Sequence, residues 1–229
     1  MRARGPAELP PKQFRDTGRG PLFTVSLVEF LKLPREVAQV ASLTVTVPDS
    51  WRDPVTLALG NLPGGGQPVA WQLAPAGDTR TESTFNALQA LLRNPEHEVP
   101  ADCDLVAVHD AARPFASAQL LHRLVTAAEQ RGAAVPGVPV ADTLLQVTPG
   151  QPSAYLPRPE LMAVQTPQVF RWDLLLEAHK WAASEGLSFT DDGGLVAARG
   201  HAPVVVDGQE DNWKVTTGSD WMRAADLLR

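Results

Sequence analysis

The stretch Val106-Ala-Val-His-Asp-Ala-Ala-Arg-Pro114 constrains this chain more than any other. Residues 105–108 are a short apolar run, the pattern of a strand buried on both faces of a parallel sheet. The run stops at His109, Asp110 and Arg113, and Pro114 prevents a simple continuation. A buried strand that ends in an aspartate and an arginine delivers them to the edge where open α/β sheets bind ligands. Asp110 can hold a hydroxyl or a metal-bound water, and Arg113 can grip a phosphate bidentately. An ordinary ion pair at a strand end fits the same spacing, so the residues alone leave both readings open.

The elements around it alternate. Residues 22–33 are dense enough in apolar side chains for a largely buried helix stopped by Pro34, and 43–47 read as a β-branched strand. A short helix is expected over 51–59. A flexible connection follows at 61–67, whose three consecutive glycines lack the Gly-Lys-Ser/Thr ending of a phosphate loop. Residues 69–73 predict a strand. Thr79 or Thr81 can cap the next helix, whose inward face is Phe85, Leu88, Leu91 and Leu92. The Gly77-Asp78 turn that opens it offers backbone N–H groups beside a strand end, although a plain capped helix start has the same look.

Beyond the 105–108 strand, Ser117 caps a helix running to about residue 130, and 133–138 form the next strand. Two extended pieces, 144–147 and 154–158, flank a Pro-Gly-Gln-Pro turn and read as a hairpin arm over 139–160. Residues 162–164 are extended, 172–184 an amphipathic helix, 190–192 the cap of a short helix, 204–206 a strand and 220–228 a terminal helix. Strands alternating with helices predict one α/β domain over 1–229, with a Rossmann-like, mostly parallel sheet covered on both faces and the arm as its one departure.

Composition bounds the function. The net charge of −6 argues against a protein that coats nucleic acid, while a local basic pocket remains possible. The single cysteine, Cys103, excludes an internal disulfide framework and points to a reducing compartment. No run of ~18 apolar residues is present and the first residues carry charge and proline, so neither a membrane helix nor a signal peptide is expected, and a cytoplasmic location is. Residues 1–21 read as loop. Within them Lys12 follows two prolines, which suits a fixed lysine, though a basic tail has the same composition.

Seven segments in order carry a resemblance: Pro-Lys-Gln-Phe at 11–14, Gly-Asp-x-Arg-x-x-Ser at 77–83, Val-His-Asp-Ala-Ala-Arg-Pro at 108–114, Pro-Val-x-Asp-Thr at 139–143, Gln-Thr-Pro-Gln at 165–168, Thr-Asp-Asp at 190–192 and Asp-Asn-x-Lys-Val-Thr at 211–216. Together they resemble the 2-C-methyl-D-erythritol 4-phosphate cytidylyltransferase family, from about Pro11 to Arg229. The resemblance implies a nucleotidyltransferase (GT-A-like) fold and transfer of CMP from CTP to a polyol phosphate in non-mevalonate isoprenoid biosynthesis. It implies Lys12 and Lys214 as the catalytic lysines, and Gly77, Asp78, Ser83 and Ala111 as nucleotide contacts. Asp110, Arg113 and Thr166 would contact the methylerythritol phosphate. Thr143 and Arg158 would reach from the arm into the partner's site of a homodimer. Magnesium would be held mainly through CTP phosphates, with no protein ligand assigned.

Two further readings stay open at this point: a ribitol 5-phosphate cytidylyltransferase, against which Ala111-Ala112 argues, and a non-catalytic relative. The second arises because family members begin with an apolar strand and an Ala-Ala-Gly-x-Gly-x-Arg loop, which have no counterpart here. Arg2 or Arg4 would be the candidates to replace the loop arginine. A misplaced start is the favoured explanation. In the chain as it stands, two central strands should face each other across an open slot, with weak CTP binding as a result.

Overall fold

The computed structural model describes residues 10–62, 69–93, 105–150 and 153–229. The glycines at 64–66, Cys103, Arg2 and Arg4, and part of the arm's turn lie outside these residues.

A turn of 3-10 helix at Lys12–Phe14 leads to α1 (Leu22–Phe30), β1 (Ser42–Val47), α2 (Arg52–Gly60), β2 (Ala70–Pro75) and α3 (Arg80–Arg93). Next come β3 (Leu105–Val108), α4 (Ala118–Arg131), β4 (Ala133–Pro139) and the arm strands β5 (Leu145–Gln146) and β6 (Ala154–Tyr155). The chain ends with β7 (Met162–Val164), β8 (Gln168–Arg171), α5 (Trp172–Glu185), α6 (Asp192–Ala198), β9 (Val204–Asp207) and α7 (Gly218–Leu228).

Local chemistry sets the boundaries. Ser117 accepts the N–H of Leu120 at the start of α4, and Gly132, at φ 82°, ends that helix in a left-handed conformation natural to glycine. Gly186 ends α5 in the same way, and Asp191 caps α6. Thr217 and Asp220 form a reciprocal capping box on α7. Of the two candidate caps for α3, Thr79 receives the N–H of Glu82, whereas Thr81 is buried and ties the helix to Phe189.

The sheet is covered on both faces, and alternation along the strands shows it. Ala134 and Val169 pack with α4, Phe30 and Leu33 on one side. Their neighbours Ala133, Val135 and Phe170 pack with Leu88 and the apolar faces of α5 and α6 on the other. Leu92 is a correction: at 57% exposed it points outward, because α3 buries Leu88 against α5 and turns its last residues to solvent.

Strand directions match the expected architecture with two additions. β1 pairs with β2 in parallel, and β4 with β9 in parallel. β8, which no strand pattern in the sequence announces, inserts between β3 and β4 and runs antiparallel to both, and β7 pairs antiparallel with β4. The arm is a hairpin, with Leu145 opposite Tyr155 and Gln146 opposite Ala154. Its side chains Leu145, Val147 and Tyr155 are exposed.

The expected slot is present. Among the described residues β1 has a strand partner only in β2, and β3 only in β8, so the sheet falls into two parts. Between them lies a cavity of about 530 Å³ lined by β1, β3, α1 and α3. Ser26 and Ser42 are among its lining residues, and their buried hydroxyls have no hydrogen-bond partner among the described residues. A backbone group left unpaired along these edges costs on the order of 1–3 kcal/mol where water does not reach it. An apolar strand-forming segment of about five residues with a glycine-bearing loop, fused ahead of residue 1, should pair with both edges and raise Tm by several degrees in calorimetry. An unchanged Tm would mean that the slot is no strand position.

Candidate active site

Arg80, in the first turn of α3, reaches Asp110 just beyond the carboxyl end of β3. Arg80 Nε lies 3.2 Å from Asp110 Oδ1. The other oxygen, Oδ2, accepts from Lys214 Nζ at 2.8 Å and faces Arg113 Nε at 3.9 Å. One carboxylate therefore sits among three cations brought in from three chain segments. Burial by itself would raise the pKa of Asp110, but Lys214 and Arg80 outweigh it and hold the group below the ordinary carboxylate value.

Backbone contacts fix the segments. Val215 N–H donates to the carbonyl of Ala112 at 2.8 Å, which pins the 212–216 segment onto the 110–113 loop. Arg113 Nη1 donates to the carbonyl of Asn212 at 2.8 Å. The buried Asn212 side chain donates to the carbonyl of Thr166 at 2.9 Å. Thr166 Oγ1 in turn accepts from the Asp110 N–H at 3.0 Å. Asp110, Arg113, Thr166 and Lys214, four of the residues singled out by sequence, thus form one hydrogen-bonded unit. Lys214 keeps 44% of its side chain accessible and can reach a ligand.

Lys12 is adjacent. It lines a hollow with Trp51, Ala112, Val215 and Thr216, directly beside the pinned segment. Ala111 and Ser83 line the mouth of the slot together with Arg80 and Asp110. At the turn before α3, the amides expected to be open are bonded within the turn: Gly77 N–H donates to Ser83 Oγ at 2.9 Å and Asp78 N–H to Glu82 at 2.8 Å. A Cβ on Gly77 would lie 2.5 Å from Glu82, so only glycine fits there. Thr143 and Arg158 stand apart on the arm. Arg158 donates to the carbonyl of Ala141 at 2.6 Å, and no hydrogen bond or ion pair joins either residue to the Asp110 unit.

Three participants had no assigned role in the sequence reading: Arg80, Asp192 and His179. Arg80 Nη1 donates to Asp192 Oδ2 at 2.6 Å, and Asp192 Oδ1 bonds to Nε2 of the buried His179 at 2.9 Å. Arg80 and Asp192 stand inside two of the quoted motifs, which was the available signal. His179 gave none, since it reads as one polar residue on an amphipathic helix.

The carboxylates here are engaged by cations. Among the described residues, no group of three or more His, Cys, Asp or Glu could hold a metal ion. The donor set is suited to anions.

An α/β domain that gathers lysine and arginine side chains at the carboxyl ends of its strands is built to handle phosphate groups. Comparison with known proteins narrows this. The family model IspD, 2-C-methyl-D-erythritol 4-phosphate cytidylyltransferase, matches residues 4–229. The protein of that name from Solibacter usitatus (strain Ellin6076) is 37% identical over 223 residues, 95% of this chain and 85% of its own length. A bifunctional IspD/IspF enzyme of Rhodopseudomonas palustris (strain BisA53) is 41% identical over 157 residues, 68% of this chain but only 38% of that longer protein. The crystal structure of 2-C-methyl-D-erythritol 4-phosphate cytidylyltransferase from Thermus thermophilus shares the fold with a TM-score of 0.71 at 35% identity, covering 96% of this chain and 94% of that one. The chain belongs to the 2-C-methyl-D-erythritol 4-phosphate cytidylyltransferase family.

His109 supplies a pH test of this geometry. Its Nε2 lies 2.9 Å from the carbonyl of Arg113 and its Nδ1 3.2 Å from Thr166 Oγ1, so the neutral ring can donate to one and accept from the other. Burial pushes its pKa down to about 4 from 6.5. A depressed folded-state value means that its contribution to stability is complete above about pH 6.5 and is lost as pH falls through 4. Urea midpoints should therefore fall between pH 6.5 and 4 more steeply for the native chain than for His109→Gln. Equal slopes would contradict the burial of a neutral ring.

Proposed function

We propose that this chain transfers a cytidylyl group from CTP to 2-C-methyl-D-erythritol 4-phosphate, releasing pyrophosphate. The observation that carries the reading is the Asp110 carboxylate held among Lys214, Arg80 and Arg113, inside motifs that match the family in order. A phosphate oxygen of the substrate attacks the α-phosphorus of CTP in line. A new P–O bond forms, and the bond from the α-phosphorus to the β-phosphate bridging oxygen breaks. The nucleophile is already anionic, so the chemistry asks for positioning and charge neutralisation rather than a strong base.

Lys214 exchanges its bond to Asp110 for the substrate phosphate and the α-phosphate. Lys12, from the neighbouring hollow, meets the charge that builds on the α-phosphate. Asp110, Arg113 and Thr166 orient the methylerythritol phosphate, while Gly77, Asp78, Ser83 and Ala111 face the nucleotide. Magnesium, carried by the triphosphate, would supply neutralisation of its oxygens. The exposed apolar residues of the arm support a homodimer in which Thr143 and Arg158 complete the partner's site. Among the described residues no helix is long and apolar enough to cross a membrane, and we place the enzyme in the cytoplasm.

Pyrophosphate release measured with CTP and either methylerythritol 4-phosphate or ribitol 5-phosphate tests the reading. Turnover with the first is expected, and turnover with the second alone, or with neither, would refute it. Lys214→Ala should lower kcat by two orders of magnitude or more, because a lost contact to transition-state charge is worth several kcal/mol. A normal rate in the folded variant would remove Lys214 from the mechanism. Mixing inactive Lys214→Ala with inactive Arg158→Ala should restore some activity, since one site of the mixed dimer then carries both native residues. No recovery after confirmed subunit exchange would confine Arg158 to its own chain.

A further inference from the structure

The cations proposed to receive phosphate are themselves held by a carboxylate. Lys214 and Arg113 both turn toward Asp110 Oδ2, so any phosphate group must compete with Asp110 for them. How strongly Asp110 competes depends on how many of its oxygens are free, and that is set from outside the site.

Asp110 Oδ1 is occupied by Arg80 Nε at 3.2 Å. Arg80 is aimed by a second bond, Nη1 to Asp192 Oδ2 at 2.6 Å. The Asp192 side chain is 1% exposed, and its other oxygen takes Nε2 of the fully buried His179 at 2.9 Å. The His179 ring lies parallel to Phe85 of α3, with centroids 6.1 Å apart. The order His179, Asp192, Arg80, Asp110, Lys214 therefore runs from the interior of α5 to the site, with each of the last four alternating in charge. The guanidinium is a rigid planar fork whose Nε and Nη1 reach the two carboxylates from separate nitrogens, whereas a lysine would have to bring one ammonium within reach of both.

We infer that Arg80 is a positioning residue: anchored on the buried Asp192–His179 pair, it occupies Oδ1 of Asp110 and so confines the hold of Asp110 on Lys214 and Arg113 to the single oxygen Oδ2, which a phosphate can displace. Without the fork, Asp110 offers both oxygens to Lys214 and Arg113 and competes better against the ligand. The inference rests on the phosphate-binding part of the functional reading. It does not depend on which polyol phosphate is the substrate.

The sharpest variant is Arg80→Lys. It keeps the net charge, and its ammonium can still pair with the buried Asp192, so no unpaired charge is left inside. It cannot also reach Asp110. The expected result is weaker binding of inorganic pyrophosphate by calorimetry, on the order of 10- to 100-fold, the scale of one hydrogen bond to a charged group. KM for the polyol phosphate should rise in parallel while kcat changes less. In an Asp110→Asn background, where an uncharged amide replaces the carboxylate and cannot compete for the cations, Arg80→Lys should have no further effect on pyrophosphate affinity. Arg80→Gln serves as the second variant if Arg80→Lys fails to fold.

A lowered Tm with pyrophosphate affinity unchanged would reduce Arg80 to a structural tie between α3 and α6 and overturn the inference. So would full additivity of the Arg80 and Asp110 changes. Absence of turnover by the native chain, with pyrophosphate binding still dependent on Arg80 through Asp110, would refute the cytidylyl-transfer reading and leave this inference standing.

Discussion

One carboxylate shared among cations organises the functional end of this molecule. Asp110 projects from the end of β3, and Arg80, Arg113 and Lys214 converge on it from three parts of the chain. None of the three cations could be packed so close to the others without an anion between them, because like charges at a few ångströms in a partly buried site repel by several kcal/mol. Asp110 is the anion that makes the cluster possible. The geometry thus accounts for a site rich in lysine and arginine with no catalytic triad: phosphoryl transfer is limited by charge and position.

Much of this was legible in the sequence, for physical reasons particular to each element. β3 and β4 read as strands because their residues are apolar, but only β4 is buried on both faces: β3 was expected to be, yet it borders the slot, its Ala107 is exposed and its other residues are half-buried. α4 read as a helix because Ser117, its apolar stripe and Gly132 agree on start, face and stop. β8 did not, because it presents only Val169 and Phe170 between Gln168 and Arg171. Gln168 is fully buried, yet its amide donates to Asp191 at 2.7 Å and its carbonyl accepts from Gly193 at 2.9 Å. A buried glutamine is acceptable only with such partners, and those partners lie about two dozen positions away where no local pattern records them. Leu92 was placed on the inward face by the same periodicity that placed Leu88 correctly, and it failed because the helix outruns the elements it packs on.

The site was legible to a similar depth. The aspartate, arginine, threonine and lysine at the centre were found through motif order, and the fold brings those four together. What no spacing encodes is the pairing of Arg80 with Asp192, more than a hundred positions apart, or the burial of His179 behind it. Long-range polar pairs follow from topology, and topology follows from the elements only after the strand order is known.

Arg80 also bears on how the two parts of the sheet stay in register. Among the described residues, β1 and β2 are not hydrogen-bonded to the remaining strands, and the slot separates them from β3. Apolar contacts cross the gap through α3, whose Leu88 packs with α5 and α6. These contacts are non-directional and tolerate sliding. The bonds from Arg80 to Asp110 and Asp192 are directional and fix the start of α3 against the end of β3 and the start of α6 at the level of the site. Buried ion pairs add little net stability on average, but they penalise misplacement heavily, because a shifted partner leaves a charge desolvated and alone. The parallel strands therefore need not be joined along their whole length for the site to be well defined. It is enough that the start of α3 is tied to the end of β3 by a fork with donors for both carboxylates.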